Sequence, residues 1–254
     1  ISEKLGIDHY AASTYHQLGM IAQERRDFET AEKWYLKSLE IEEKQGNEHG
    51  AATTYHQLGV IAQERRDFET AEKWYLKSLE NEEKQGNEHG AASTYHQLGR
   101  IAEERRDFET AEKWYLKAVA IEEKQGNEHG AASTYHQLGM IAQERRDFET
   151  AEKWYLKAVA ISEKQGNEHG EAITYGQLGI LARLRERFVE SGEWLIKCIR
   201  VFNKCHAPRK AAQGAENFMI SLGMASKGDK TRMLKMWEEA GLGDLPEGEG
   251  DSSE

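Results

Sequence analysis

Apolar residues recur along this chain at helical spacing. Between residues 11 and 50 they fall first as Ala12, Tyr15, Leu18, Gly19 and Ala22, then as Phe28, Ala31, Tyr35 and Leu39. Steps of three and four keep each set on one side of a helix, so the segment predicts two amphipathic helices. The polar residues between them supply the punctuation. Asp27 stands where the second helix begins and offers a side-chain oxygen to the free N–H groups of its first turn, while Glu29 complements the dipole there. Gly46 stops that helix and Asn47 caps the next. The pattern predicts a helix A near Glu48–Arg65 and a helix B near Phe68–Gln85.

The same pattern returns every 40 residues. Residues 11–50, 51–90, 91–130 and 131–170 are four copies that differ from one another at eight of forty positions, and a diverged fifth copy runs from Glu171 to Cys205. A period of this length is the signature of stacked units, each burying its apolar face on its neighbours. Five domain segments are expected: 1–10, 11–170, 171–205, 206–243 and 244–254. ISEKLGIDH at the start aligns with ISEKQGNEH of Ile161–His169, so residues 1–10 are expected to be the last turns of a truncated helix B. Pro208–Ser226 and Thr231–Ala240 predict two helices that cap the array, the second with Met233, Leu234, Met236 and Trp237 as its apolar face. The Gly-rich, acidic tail from Asp244 to Glu254 is expected to be disordered.

Tyr15, Leu18-Gly19, Ala31, Tyr35 and Ser38 (Ala118 and Ala158 in later copies) resemble the tetratricopeptide repeat family. Its helix A carries an aromatic residue and then Leu-Gly, and its helix B a small residue, an aromatic and another small residue. The family's usual helix-ending proline is absent, and its second helix A aromatic is replaced by Ala22. The long unit is similar to LGN-type spindle-orientation adaptors and to arrays attached to bacterial signalling ATPases. The resemblance implies an all-α fold, a right-handed superhelical solenoid of antiparallel helix pairs with a C-terminal helical cap. Gly19 and Ala31 are expected to let the paired backbones approach, with Tyr15 and Tyr35 filling the gap between successive repeats.

The resemblance also implies that the A helices line a concave groove. Mapped from Leu18-Gly19, its inward stripe is Ser13, His16, Met20 and Gln23, with Glu24 beside it. The matching sets are Thr53, His56, Val60 and Gln63; Ser93, His96, Arg100 and Glu103; Ser133, His136, Met140 and Gln143; and Ile173, Gly176, Ile180 and Arg183. Every helix A position that varies among the four close copies lies on this stripe, which reads as a recognition surface graded from apolar through charged to apolar and basic. Drift at exposed positions would also spare a core, but it would have touched the outer face of helix A as well. His16, His56, His96 and His136 are expected to form a ladder that contacts a partner's backbone or acidic side chains, with affinity sensitive to pH near 6–7. Neighbouring helices pack about 8–10 Å apart, too far for adjacent imidazoles to share a zinc ion, so no metal and no cofactor is expected. His49, His89 and His129 fall in exposed turns.

Net charge is −11, which disfavours nucleic acid, since phosphate binding needs a concentrated basic surface. The apolar runs are too short to span a membrane, and no leader pattern precedes them, so a cytoplasmic location is expected. Cys198 and Cys205, seven residues apart on one helix, lie beyond disulfide reach and are expected to be buried free thiols. Pairs such as Glu29 and Lys33 read as a solvated helix face. The sequence holds no Gly-rich phosphate loop, no Gly-x-Ser-x-Gly and no His-Glu-x-x-His, so no enzyme is expected. The leading expectation is a scaffold that binds a partner protein's peptide or helix. A second is a ligand-sensing segment of a larger signalling protein with an ATPase or protease effector upstream, and a third is a consensus-designed repeat. A truncated first repeat would leave an apolar end that another copy could cover, allowing head-to-tail self-association.

Overall fold

A computed structural model describes residues 2–246 of the chain, and the remainder of the tail expected to be disordered lies outside them. The described residues form twelve helices in two compact units. The N-terminal unit, Ile1–Gln125, holds α1 (Ser2–Glu24), α2 (Phe28–Gln45), α3 (Glu48–Glu64), α4 (Phe68–Lys84), α5 (Glu88–Glu104) and α6 (Phe108–Lys124). The C-terminal unit, Gly126–Glu254, holds α7 (Glu128–Glu144), α8 (Phe148–Gln165), α9 (Glu168–Leu184), α10 (Phe188–Lys204), α11 (Pro208–Met224) and α12 (Lys227–Glu239). Within each unit every helix packs on its successor in the chain, and the A–B pairs make the most extensive contacts.

The expected punctuation is in place. Asp27 accepts a hydrogen bond from the Thr30 amide at 3.2 Å, and Asn47 accepts one from the Gly50 amide at 3.0 Å. Gly46 takes the left-handed conformation at φ 64° that ends α2. The turn between A and B is built differently: Arg66 sits at φ 60°, and the Arg66 and Asp67 amides donate back to the carbonyls of Gln63 and Ala62 at 2.8 and 2.9 Å. Arginine thus does at this turn what glycine does at the other.

The break expected between a preceding helix B and the first helix A is not formed, since α1 runs unbroken from Ser2 to Glu24. Ile7 stands where Asn47 stands one repeat later, and isoleucine has no side-chain oxygen with which to start a new helix.

In the core, the Leu-Gly motif admits a ring rather than a neighbouring backbone. A Cβ added at Gly59 would lie 2.7 Å from the Tyr75 ring, which is 0% exposed. Tyr75 is therefore seated on helix A of its own repeat, and it shares a core cluster with Tyr95, Leu98 and Ile101 of the next, as expected of a ring that fills the gap between repeats. Tyr15 likewise stacks on Trp34 of its own repeat, at 5.4 Å between centroids. This tyrosine class also reaches the preceding repeat: Tyr55 shares a core cluster with Tyr35 and Leu39, and its hydroxyl donates to Glu43.

The two end helices form near their predicted limits and pack on α10. Met233 and Trp237 are buried and Trp237 packs on Phe218 at 4.8 Å, whereas Leu234, expected on the same face, is exposed. Both cysteines are free. Cys198 is buried, but Cys205, expected to be buried too, is half-exposed where α10 ends, and its thiol donates to Glu168 at 3.3 Å.

Candidate functional site

The stripe residues come from α1, α3, α5, α7 and α9, and each is at least partly open to solvent. Ser13, Thr53, Ser93, Ser133, Met20 and Arg100 are exposed. Val60, Met140, Ile173, Ile180 and Arg183 are half-buried, as are the four histidines, Gln23, Gln63, Gln143 and Glu103. Successive A helices bring these residues together around shallow concavities. In the N-terminal unit Ser13, His16 and Met20 meet Thr53 around a hollow of about 350 Å³, and Met20 and Gln23 share a second, of about 410 Å³, with Gln57. In the C-terminal unit Ser133 and His136 meet Ile173 around a hollow of about 260 Å³.

Two residue classes on the stripe also hold the repeats together. The glutamine class fixes the buried tyrosine: Tyr35 donates to Gln23 at 2.8 Å and Tyr75 to Gln63 at 3.0 Å. Tyr115 donates to Glu103 at 2.9 Å, so the Gln-to-Glu change in the third copy keeps an acceptor in place. His16, His56 and His136 form a joint between repeats, whereas the hydroxyl of Thr134, which stands in the partner position for His96, has no hydrogen-bond partner among the described residues. His56 meets the Tyr75 ring edge-on at 5.2 Å, and its Nδ1 shares a hydrogen bond with Thr94 of the next repeat at 3.1 Å. His16 and Thr54 repeat the arrangement at 3.1 Å, and His136 and Thr174 at 3.0 Å. Thr174 already donates to the Gly170 carbonyl, which makes the imidazole N–H the donor in that pair.

This placement overturns the expected titration near pH 6–7. Burial pulls all four imidazoles below their ordinary value, and for His16 the Glu42 carboxylate partly opposes it. His96 is brought to about 4, with the Arg100 guanidinium adding to the effect of burial, and His136 to about 4 by burial. Across pH 6–7 His96 and His136 are neutral.

Away from the stripe, Lys37 lies over the rings of Tyr15 and Trp34 at 5.6 and 4.6 Å. Lys77, Lys117, Lys157 and Lys197 repeat the stack, a cation–π support that charge spacing alone did not reveal. Glu29 and Lys33 pair at 2.9 Å on the exposed face as expected. His49, His89 and His129 are exposed, in the first turns of helices rather than in loops.

The fifth repeat lacks the joint. Gly176 stands in the histidine position, Leu195 in the tyrosine position and Gly214 in the threonine position of the following helix. The space so vacated is a pocket of about 260 Å³ between α9, α10 and α11. Its walls are Ile173, Ile180, Leu195, Cys198 and Phe202, and Gln177, Gln213, Asn217 and Lys210 stand around them. Arg183 donates to the Asn217 side chain at 3.1 Å. The sequence carried the three substitutions, but their meeting at one point depends on the packing of three helices.

The tetratricopeptide repeat model matches residues 10–84, 50–124 and 130–204. The chain belongs to the tetratricopeptide repeat family. It is an all-α repeat solenoid, and its family is a protein-interaction module. No curated protein matches it in sequence. Among solved structures it is similar to a signal transduction ATPase with numerous domains that carries a tetratricopeptide repeat sensor, from Pyrococcus horikoshii, with a TM-score of 0.75 and 19% identity. That likeness covers 91% of this chain and 36% of the other, so the chain spans about a third of the Pyrococcus protein. It is also similar to aspartyl phosphate phosphatase F from Bacillus subtilis, with a TM-score of 0.72 and 12% identity over 94% of this chain and 62% of that one. A putative kinesin light chain from Podosopora anserina with nearly identical repeats aligns with a TM-score of 0.64 and 19% identity, over 76% of this chain and 95% of that one. At these identities the likeness is one of fold.

Proposed function

We propose that the chain is a scaffold that holds a partner protein's extended peptide or helix along the stripe of its A helices. One observation carries this reading: Ser13, Met20 and Gln23 mark the positions that change between otherwise identical A helices of the four close copies, and all three lie on one face that is at least partly open to solvent. The position of Met20 carries the clearest signal. It becomes Val60, Arg100 and Met140, and none of these four side chains is fully buried. The position of Gln23 is weaker support, because it also serves the buried tyrosine.

The test is to pan a random peptide library on the full chain and measure the enriched peptides by calorimetry. Arg100→Glu should weaken them at least about tenfold, or about 1.4 kcal/mol. Lys113→Glu, on the exposed face of α6, should leave them unchanged. Equal loss in both, or loss in the second alone, removes the stripe from the account. A second reading, a sensing segment of a larger signalling protein, is supported by the fold shared with the Pyrococcus ATPase's sensor. It predicts an effector domain in the full reading frame.

A further inference from the structure

The pocket between α9, α10 and α11 has a composition unlike the rest of the stripe. Ile173, Ile180, Leu195, Cys198 and Phe202 make its walls apolar, and all but Ile180 belong to or pack against a core cluster of the C-terminal unit. It is concave because two glycines face it. A Cβ at Gly176 would meet Cys198 Sγ at 3.5 Å, and one at Gly214 would meet Ile199 at 2.8 Å. At about 260 Å³ it exceeds the roughly 150 Å³ apolar cavity that accommodates benzene, and so has room for one side chain of leucine to phenylalanine size.

The polar residues favour a peptide over a hydrocarbon. Gln177 and Gln213 each carry an amide with donors and an acceptor, the complement of a peptide group, while Asn217 beside them donates to the Gln213 carbonyl at 3.0 Å and accepts from Arg183 at 3.1 Å. No carboxylate lines the pocket in a chain of net charge −11, while Lys210 does and Arg183 is bonded to Asn217 beside it. An acidic residue next to the inserted side chain is therefore favoured over a basic one.

We infer that this pocket is the anchor subsite of the proposed peptide-binding stripe, taking one leucine- or phenylalanine-sized side chain from a partner peptide whose neighbouring backbone is bonded by Gln177 and Gln213. The inference rests on that reading of the stripe, and adds the residue class by which the partner is held.

The experiment uses the full chain, with isoleucine methyl groups labelled for NMR, and three probes: the N-acetyl amides of leucine, phenylalanine and lysine. Leucine and phenylalanine amides should shift the Ile173 and Ile180 methyl signals saturably, with dissociation constants on the order of 1–10 mM, and the lysine amide should not. Gly176→Ala should fold normally, since its new methyl finds ordinary contact, and weaken binding several-fold. Gly176→Leu, which fills the space, should abolish it. Absence of saturable shifts with the leucine and phenylalanine amides, or equal binding in wild type and Gly176→Leu, overturns the subsite. Peptides that depend on Arg100 but ignore Gly176→Leu would leave the stripe standing without this anchor. Amides that bind here while Arg100→Glu has no effect on selected peptides would instead sink the stripe.

Discussion

In the N-terminal unit, the space where α3 meets α4 and α5 is filled by the His56 ring lying edge-on to Tyr75 and bonded to Thr94. In the C-terminal unit the matching positions hold Gly176, Leu195 and Gly214, and the space is a pocket. Both regions use the same helix pair, the same Leu-Gly motif and the same Tyr–Trp–Lys stack, as in Tyr175, Trp194 and Lys197. The difference separates what a repeat needs in order to fold from what it needs in order to adhere to its successor. The helix pair survives loss of the imidazole joint when apolar packing through Ile199, Phe202 and Phe218 takes over.

The largest way to break this comparison is to empty the intact joint. Tyr75→Ala should cost about 3–5 kcal/mol, seen as a lower urea midpoint, because the side chain is fully buried in a packed core. An unchanged midpoint would mean that the tyrosine is not seated on Gly59.

A smaller effect is expected from pH. All four histidines bind their proton less readily folded than unfolded, and for His96 and His136 the unfolded chain holds more protons between about pH 4 and 6.5. The stability that His96 and His136 contribute is complete above pH 6.5 and is lost as pH falls toward 4, on the order of 1–3 kcal/mol for each of the two. Glu82, which packs beside the His56 joint and is raised by burial, works in the opposite sense above its ordinary value. Replacing His136 by Gln should flatten the acid side of a denaturation profile measured between pH 4.5 and 7. The same slope in wild type and variant would assign the acid sensitivity to other groups.

The finest distinction lies within the pocket. Gly176→Ala should stabilise by up to about 1 kcal/mol, since alanine is the better helix former and its methyl finds ordinary contact. Gly214→Ala should destabilise by about 1–3 kcal/mol, because its methyl would press into Ile199 at 2.8 Å. Thermal melts of the two variants should move in opposite directions. Movement in the same direction would show that the two glycines are not in the unequal surroundings described.

Most of the fold could be read from the residues. Asp27, Gly46 and Asn47 announce helix ends by local chemistry that needs no tertiary context, and the predicted limits of helices A and B fall within a residue or two of those observed, whereas the last helix starts at Lys227, four residues before the predicted Thr231. The repeat itself was legible because identical units leave the period unobscured. What was not legible depended on neighbours. Helical spacing puts His16 and Gln23 on the stripe, but not whether their polar atoms turn toward solvent or toward Thr54 and Tyr35. The left-handed Arg66 escaped notice because arginine gives no warning of a conformation usually left to glycine or asparagine. The unbroken α1 was misread because the resemblance of ISEKLGIDH to a repeat end hid the one residue, Ile7, that matters for starting a helix.

The sameness of the joints makes the chain ambiguous to itself while it folds. His16 meets Thr54 and His56 meets Thr94 through the same geometry, so α5 could dock where α3 belongs, with one whole repeat looped out and the same hydrogen bond formed. Loop-closure entropy discriminates weakly against such a slip, since doubling a loop costs about 0.6 kcal/mol. Correction must come from the burial that the omitted repeat forgoes. The Gly176–Gly214 contact is written in different letters, with no threonine on α11 to answer a histidine. Helix α11 therefore carries an address that matches α9 better than any joint upstream, and the array is indexed from its C-terminal end.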